Sequence, residues 1–295
     1  MIIVITGPTA VGKTKLSLEI AKKYKAEIIN CDSVQIYKEL NIGSAKITKE
    51  EMGGITHHLI DYKSVYDNYT VYDYQKDARN IIDNLCKQNK NIVLVGGTGL
   101  YIKASLYDYR FSKEEEVNNF EDMSTSSLYE YLLSLNKDIS IDKNNRRRLI
   151  RAINYYNNTN SSINDNNMGD NLLYDAIFIG LTTDRDVLYN KINDRVDKMM
   201  EEGLLEEARG LYDSNVNTKA VNSIGYKELY EYFKGLTTLD CAVDKIKRNS
   251  RRYAKRQYTF FNNKMDIKWF RTNFDDFGKT VGEVCDYIDM VRSKI

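Results

Sequence analysis

Residues 2–14, Ile-Ile-Val-Ile-Thr-Gly-Pro-Thr-Ala-Val-Gly-Lys-Thr, restrict the fold more than any other stretch of this chain. The β-branched run Ile2 to Ile5 reads as a strand buried on both faces. Leu16, Ile20 and Tyr24 then recur every four residues, the spacing of one helical face. Where the period changes, Gly7 and Gly12-Lys13-Thr14 complete a G-x-x-x-x-G-K-[ST] phosphate loop in its required strand-to-helix context. Glycine lets the backbone come close to a ligand, and successive N–H groups with the positive end of the helix dipole hold an anion. Gly7, Pro8, Thr9, Ala10, Val11, Gly12, Lys13 and Thr14 are therefore the expected diphosphate-binding residues, with the Thr14 hydroxyl a ligand for Mg2+. ATP is the default occupant, but any pyrophosphate ester fits the same cradle.

Lys and Arg total 43 against 42 Asp and Glu, so affinity for nucleic acid must come from local patches rather than an overall field. Cys31, Cys86, Cys241 and Cys285 lie far apart and form no C-x-x-C pair or zinc spacing. They read as reduced thiols of a cytoplasmic protein. The apolar start is too short for a signal peptide, and no run approaches the ~18 residues of a membrane span.

Two more strand ends carry polar groups. Ala26 to Asn30 ends at Cys31-Asp32-Ser33, and Asn91 to Val95 ends at Gly96-Gly97-Thr98-Gly99. In open α/β sheets such ends are where ligands bind, so Asp32 and Thr98 are expected to share a cleft with the phosphate loop. Taken singly, Asp32-Ser33 reads better as a turn, and the glycine cluster with Thr98 equally well as one. Thr70 and Asp73 resemble a capping pair for a helix with Val71, Tyr74, Ala78, Ile81, Ile82 and Leu85 inward. His57 and His58, adjacent in a strand, point to opposite faces, which argues against a zinc site.

Beyond Tyr107 the composition shifts, and Arg147, Arg148 and Arg151 share one face of a helix suited to an anionic partner. Asn157 to Asn171 is Asn/Ser/Asp-rich and reads as a loop. Tyr174 to Leu181 is a further strand, followed by a helix with Val187, Leu188, Ile192, Val196 and Met199 inward and Arg195 near its middle. Leu239 to Asn262 is the most basic stretch, its Lys245, Lys247, Arg248, Arg251, Arg252, Lys255 and Arg256 interleaved with Tyr253, Tyr258, Phe260 and Phe261, a pattern that suits phosphates and stacked bases. It equally suits an amphipathic helix with Ile246, Tyr253 and Phe260 inward.

With these residues in place, the chain resembles the bacterial tRNA dimethylallyltransferases. The likeness is an ordered series: Gly-Pro-Thr-Ala-Val-Gly-Lys-Thr (7–14), Asp-Ser-Val-Gln-Ile-Tyr (32–37), Ile-Gly-Ser-Ala-Lys (42–46) and His-His-Leu-Ile-Asp (57–61). It continues with Val-Gly-Gly-Thr-Gly-Leu-Tyr (95–101), Arg195-Val196-Asp197, Ser-Ile-Gly-Tyr-Lys-Glu (223–228) and Ala-Lys-Arg-Gln-Tyr-Thr-Phe-Phe (254–261). The resemblance implies a P-loop kinase-like α/β core, a parallel sheet flanked by helices, over 1–107 and 172–295, with a helical insertion domain over 108–171. It implies transfer of a dimethylallyl group from dimethylallyl diphosphate to N6 of adenine 37 in tRNA. Asp32 would be the general base, Thr98 its support, and Arg195 a second grip on the pyrophosphate. The anticodon stem-loop would be met by Asp32, Ser33, Val34, Gln35, Arg147, Arg148, Arg151, Ser223, Gly225, Tyr226, Lys227, Lys255, Arg256 and Gln257.

Here the insertion is shorter than the family's usual one, and the arginine that follows an Asp-Pro early in it has no counterpart. A monomer is expected. A metabolite kinase using the same loop on ATP, a prenyltransferase acting on free AMP, and a non-catalytic nucleotide-switched RNA-binding module are the rival readings.

Overall fold

The computed structural model describes residues 1–111, 118–137, 141–160 and 169–293. Its elements begin with β1 (Ile2–Thr6), α1 (Lys13–Tyr24), β2 (Ala26–Asn30), β3 (His57–His58), α2 (Val71–Lys87), β4 (Asn91–Val95) and α3 (Gly99–Leu106). Then come α4 (Thr125–Leu135), α5 (Arg146–Thr159), β5 (Ala176–Thr182), α6 (Arg185–Glu201) and α7 (Leu204–Asp213). Last are α8 (Tyr226–Phe233), α9 (Leu239–Lys264), β6 (Lys268–Arg271) and α10 (Phe277–Arg292). The chain divides into two compact units, Met1–Leu106 with Tyr174–Ile295, and Tyr107–Leu173.

The first unit is built on a parallel sheet in the order β3-β2-β4-β1-β5-β6. Its central strand, β1, is buried along its whole length, as a β-branched strand covered on both faces must be. Register then decides what the carboxyl edge presents. Ile5 pairs with Val95 and Val95 with Asn30, so β1, β4 and β2 end at one level. The loops that follow carry Gly7, Thr98 and Asp32, which therefore emerge side by side although distant in sequence. One large apolar cluster, with Ile3, Ile5, Leu16, Ile20, Val93, Ile179 and Val284, packs α1 and α10 onto the sheet.

Helix starts differ in a telling way. At α2, Thr70 accepts from the Asp73 amide (3.3 Å) while the Asp73 carboxylate accepts from the Thr70 amide (2.8 Å), which closes a capping box. At α1 no side chain caps the helix and no acidic residue lies in its first turn. Its leading N–H groups and dipole are thus left to an anion from outside the chain.

Elsewhere the structure departs from the pattern the residues suggest. Helix α3 forms where the glycine-rich start reads as a turn, and its residues are buried nearly all round. Val187 is not inward but 39 % exposed. On α9 the buried face is Ala242, Ile246, Ala254, Gln257 and Phe261, while Tyr253 and Phe260 are half-buried. Asn157 to Thr159, assigned to a loop, continue α5; residues 161–168 of that stretch lie outside the described residues.

The second unit has its own small core of Leu128 and Leu132 on α4 with Leu149, Ala152 and Ile153 on α5. Arg146 donates to the carbonyls of Met123 and Phe120 (the latter 2.6 Å), so it serves this core. Arg147, Arg148 and Arg151 are exposed on the helix it opens.

Candidate active site at the carboxyl edge of the sheet

The phosphate loop holds a conformation few side chains allow. Gly7 has φ 136°, Ala10 66° and Gly12 93°. At Gly7 a Cβ would lie 2.5 Å from the Leu181 carbonyl oxygen, so only glycine fits there. Ala10 is a non-glycine residue in the left-handed region, a conformation found where surrounding structure and function hold it. Lys13 folds back over the loop, its ammonium donating to the Pro8 carbonyl at 2.7 Å.

Asp32 follows β2. Its Oδ1 accepts from the Val34 amide (2.8 Å) and more weakly from that of Gln35 (3.4 Å), which fixes the side chain. Thr98 is joined to the same loop: its amide donates to the Cys31 carbonyl (3.1 Å), and its hydroxyl accepts from the Ser33 amide (3.2 Å). Close backbone approach makes this possible, since a Cβ at Gly96 would lie 2.2 Å from the Cys31 carbonyl oxygen. Gln257, from α9, is buried and ties two loops together. Its carbonyl oxygen accepts from the Thr9 amide (3.0 Å) and its amide nitrogen donates to the Gly97 carbonyl (2.9 Å). It therefore supports the cradle from within and is the one basic-helix candidate that does not face outward.

A cavity of about 320 Å³ is lined by Thr9, Gly12, Lys13, Thr14, Asp32, Gln35, Arg195, Tyr253 and Gln257. A second, of about 310 Å³, is lined by Ser33, Val34, Ser44, Ser223, Gly225, Lys227 and Arg256. Thr9, Asp32, Arg195 and Tyr253 line both. The carboxylate thus stands where an anion cradle meets a chamber rimmed by polar and basic residues. The electrostatics agree with that placement. Burial and the neighbouring Arg195 pull Lys13 from 10.5 down to about 7, with Asp32 acting in the opposite direction. Burial likewise lowers Arg195, again opposed by Asp32. Burial and then the Asp32 charge push the Tyr253 phenol up to about 12. Two cations held close together in a desolvated pocket, with one carboxylate acting on both, form a site short of negative charge.

The remaining residues expected at the RNA fall into three groups. Lys255 and Arg256 are exposed on α9, and Arg252 and Arg248 continue their face one and two turns earlier. Lys245 and Lys247 are instead engaged with Glu231 and Asp197 (both 2.5 Å), and Arg251 with Asn193 (2.6 Å). In 223–227, Ser223 and Lys227 are partly exposed, but Gly225 is buried and the Tyr226 ring is fully so. The Gly225 turn (φ 105°) is closed by Glu228, buried completely, whose carboxylate accepts from the Gly225 amide at 2.8 Å. Arg147, Arg148 and Arg151 belong to the second unit. Sequence reasoning missed Gln257 as a loop tie, although a polar residue on the buried face of α9 was the available signal. It also passed over Glu207 on α7, which carries no local signal at all.

Comparison with known proteins decides the family. Residues 35–264 match the family model described as IPP transferase. The chain belongs to the IPP transferase family. It is 44 % identical over 298 residues to the tRNA dimethylallyltransferase of Anoxybacillus flavithermus, covering 98 % of this chain and 96 % of that protein. The crystal structure of the full-length tRNA isopentenylpyrophosphate transferase of Bacillus halodurans matches with a TM-score of 0.76 at 40 % identity, over 98 % and 95 % of the two chains. A eukaryotic dimethylallyltransferase solved acting on tRNA matches with a TM-score of 0.83 at 27 % identity, over 98 % and 79 %. The family is thus carried by the whole length of the chain, not by the phosphate loop alone.

Proposed function

We propose that this chain transfers a dimethylallyl group from dimethylallyl diphosphate to N6 of adenine 37 in tRNA and releases pyrophosphate. The observation that carries the reading is the place of Asp32, on the wall shared by the phosphate-loop cavity and the chamber beside Ser223, Lys227 and Arg256. Lys13, Arg195 and the loop amides hold the diphosphate. As the C1–O bond breaks, charge grows on the leaving pyrophosphate, and these fixed donors stabilise it in a desolvated pocket. The exocyclic amine attacks C1 and forms the new N–C bond. Its lone pair is drawn into the ring, so it needs help, and Asp32 accepts the proton as the bond forms. Thr98, through the Ser33 amide, keeps the Asp32 loop in place.

Among the described residues no group of three or more His, Cys, Asp or Glu is arranged to hold a metal. Thr14 lines the cavity with a hydroxyl, which suits Mg2+ carried largely by diphosphate oxygens and water. When bound there, Mg2+ neutralises part of the pyrophosphate charge.

For the RNA, the base must leave its stack, at a few kcal/mol. Phosphate contacts from Arg248, Arg252, Lys255 and Arg256 offset that cost, and Arg147, Arg148 and Arg151 add a basic face on the second unit. A monomer in the cytoplasm goes with this reading, and no helix among the described residues is long and apolar enough to cross a membrane. The deciding experiment supplies labelled dimethylallyl diphosphate with unmodified tRNA, with AMP, or with neither plus ATP. Label is expected in tRNA only. Label in AMP, or turnover of ATP without prenyl transfer, would overturn the assignment.

A further inference from the structure

Arg195 comes from the middle of α6, yet its direction is set by a turn from another part of the chain. Its guanidinium donates to the Ser44 carbonyl at 3.3 Å, and the Gln35 amide donates to the same oxygen at 3.1 Å. Ser44 belongs to a single turn over 40–45, closed by the Ser44 hydroxyl on the Leu40 carbonyl (2.7 Å) and the Ala45 amide on the Ile42 carbonyl (2.8 Å). So short a turn gains too few hydrogen bonds of its own to repay the dihedrals it fixes.

Lys46 pins one end of it, through its amide on the Asn41 carbonyl (3.0 Å) and its ammonium on Asn41 Oδ1 (2.9 Å). The N–H end is held by Glu207, near the start of α7. Its Oε2 accepts from the amides of Asn41 (3.0 Å) and Ile42 (2.9 Å), and its Oε1 from the Gly43 amide (3.1 Å) and the Tyr226 hydroxyl (2.6 Å). Three consecutive N–H groups meeting one carboxylate make an anion-binding nest, filled here by the chain itself. Gly43 is required for the fit, since a Cβ would lie 2.6 Å from the Tyr226 ring. The turn therefore has an anion at its N–H end and a cation at its carbonyl end, the arrangement its peptide dipoles favour.

We propose that Glu207 is a positioning residue for the reaction: by fixing the 40–45 turn it sets where the Arg195 guanidinium meets the diphosphate. Tyr226 lies beside Ser223 and Lys227, so the same carboxylate joins the segment expected to face RNA to the segment that directs Arg195. The inference rests on the diphosphate reading of the cavity, and its test is made independent of prenyl transfer by reading pyrophosphate binding directly.

Pyrophosphate affinity is measured by calorimetry on the full chain for wild type, Glu207→Gln, Arg195→Ala and the double variant. Glu207→Gln keeps the shape but loses the charge and replaces one acceptor oxygen with an NH2 donor, which cannot accept from the amides it faces. It is expected to weaken binding about tenfold when Arg195 is present and to have little effect in the Arg195→Ala background. Equal weakening in both backgrounds, or none in either, overturns the proposal. Should Glu207→Gln not fold, Tyr226→Phe removes one of the four bonds. It is then expected to weaken binding about threefold, only with Arg195 present; unchanged affinity sinks the proposal. If pyrophosphate binds as expected but tRNA is never prenylated, the function reading fails and the role of Glu207 stands.

Discussion

Lys13 shows how a single residue can be costly for the fold and useful for the site. In the unfolded chain its pKa is the ordinary 10.5, and in the folded protein it is about 7. Between those values the unfolded chain binds the extra proton. Burying Lys13 therefore opposes folding most fully below about pH 7, and the penalty fades as pH rises towards 10.5. A bound diphosphate has the opposite preference, because it stabilises the ammonium. At about pH 8, pyrophosphate binding should take up close to one proton at this group, and affinity should fall by up to about tenfold per unit above pH 7. Calorimetry in two buffers of different ionisation enthalpy measures the uptake. The difference between wild type and Lys13→Met isolates the lysine from the titration of pyrophosphate itself. No difference between the two would remove Lys13 from the anion site.

At the scale of elements, α9 does two things on two faces. Inward, Gln257 satisfies the Thr9 amide and the Gly97 carbonyl. Gln257→Leu leaves the buried Gly97 carbonyl and the half-buried Thr9 amide without this partner and should destabilise the protein by about 1–3 kcal/mol in urea unfolding. A variant as stable as wild type would mean that the two loops hold each other without the tie. Outward, Lys255→Ala with Arg256→Ala should reduce the slope of log affinity for tRNA against log salt by about 0.7–0.9 for each phosphate the variant no longer neutralises. An unchanged slope would take this face out of the interface.

Local signals explain which elements were legible beforehand. Helix α1 was readable because Leu16, Ile20 and Tyr24 repeat at helical spacing, and α2 because Thr70 and Asp73 form a local cap. By contrast α3 was hidden: burial on every side leaves it no periodicity. Val187 is apolar but sits about 100° round α6 from Leu188, off the stripe of Leu188, Ile192, Val196 and Met199, and is therefore exposed.

For the whole molecule, the parallel sheet converts sequence separation into proximity. Register alone aligns the ends of β1, β2 and β4, so the phosphate loop, Asp32 and Thr98 could be expected in one cleft from strand ends alone. The cavity walls contributed by Arg195, Tyr253 and Ser44 could not, because they depend on how α6, α9 and the 40–45 turn pack over that edge. Glu207 is the extreme case: on its own helix it is one more acidic residue, and its meaning lies in three amides about 165 residues earlier. The overall charge of +1 conceals the basic face of α9 in the same way, since the sum says nothing of where charges lie.

The central claim is that Asp32 takes a proton from the attacking amine while the cradle grips the departing pyrophosphate. Single-turnover prenyl transfer by Asp32→Asn, with both substrates saturating and their dissociation constants measured in parallel, tests it most directly. The account predicts a chemical step slower by about 10²–10⁴-fold with tRNA and pyrophosphate binding nearly unchanged. A variant that transfers the prenyl group at the wild-type rate, or that is slow only because a substrate no longer binds, would contradict it.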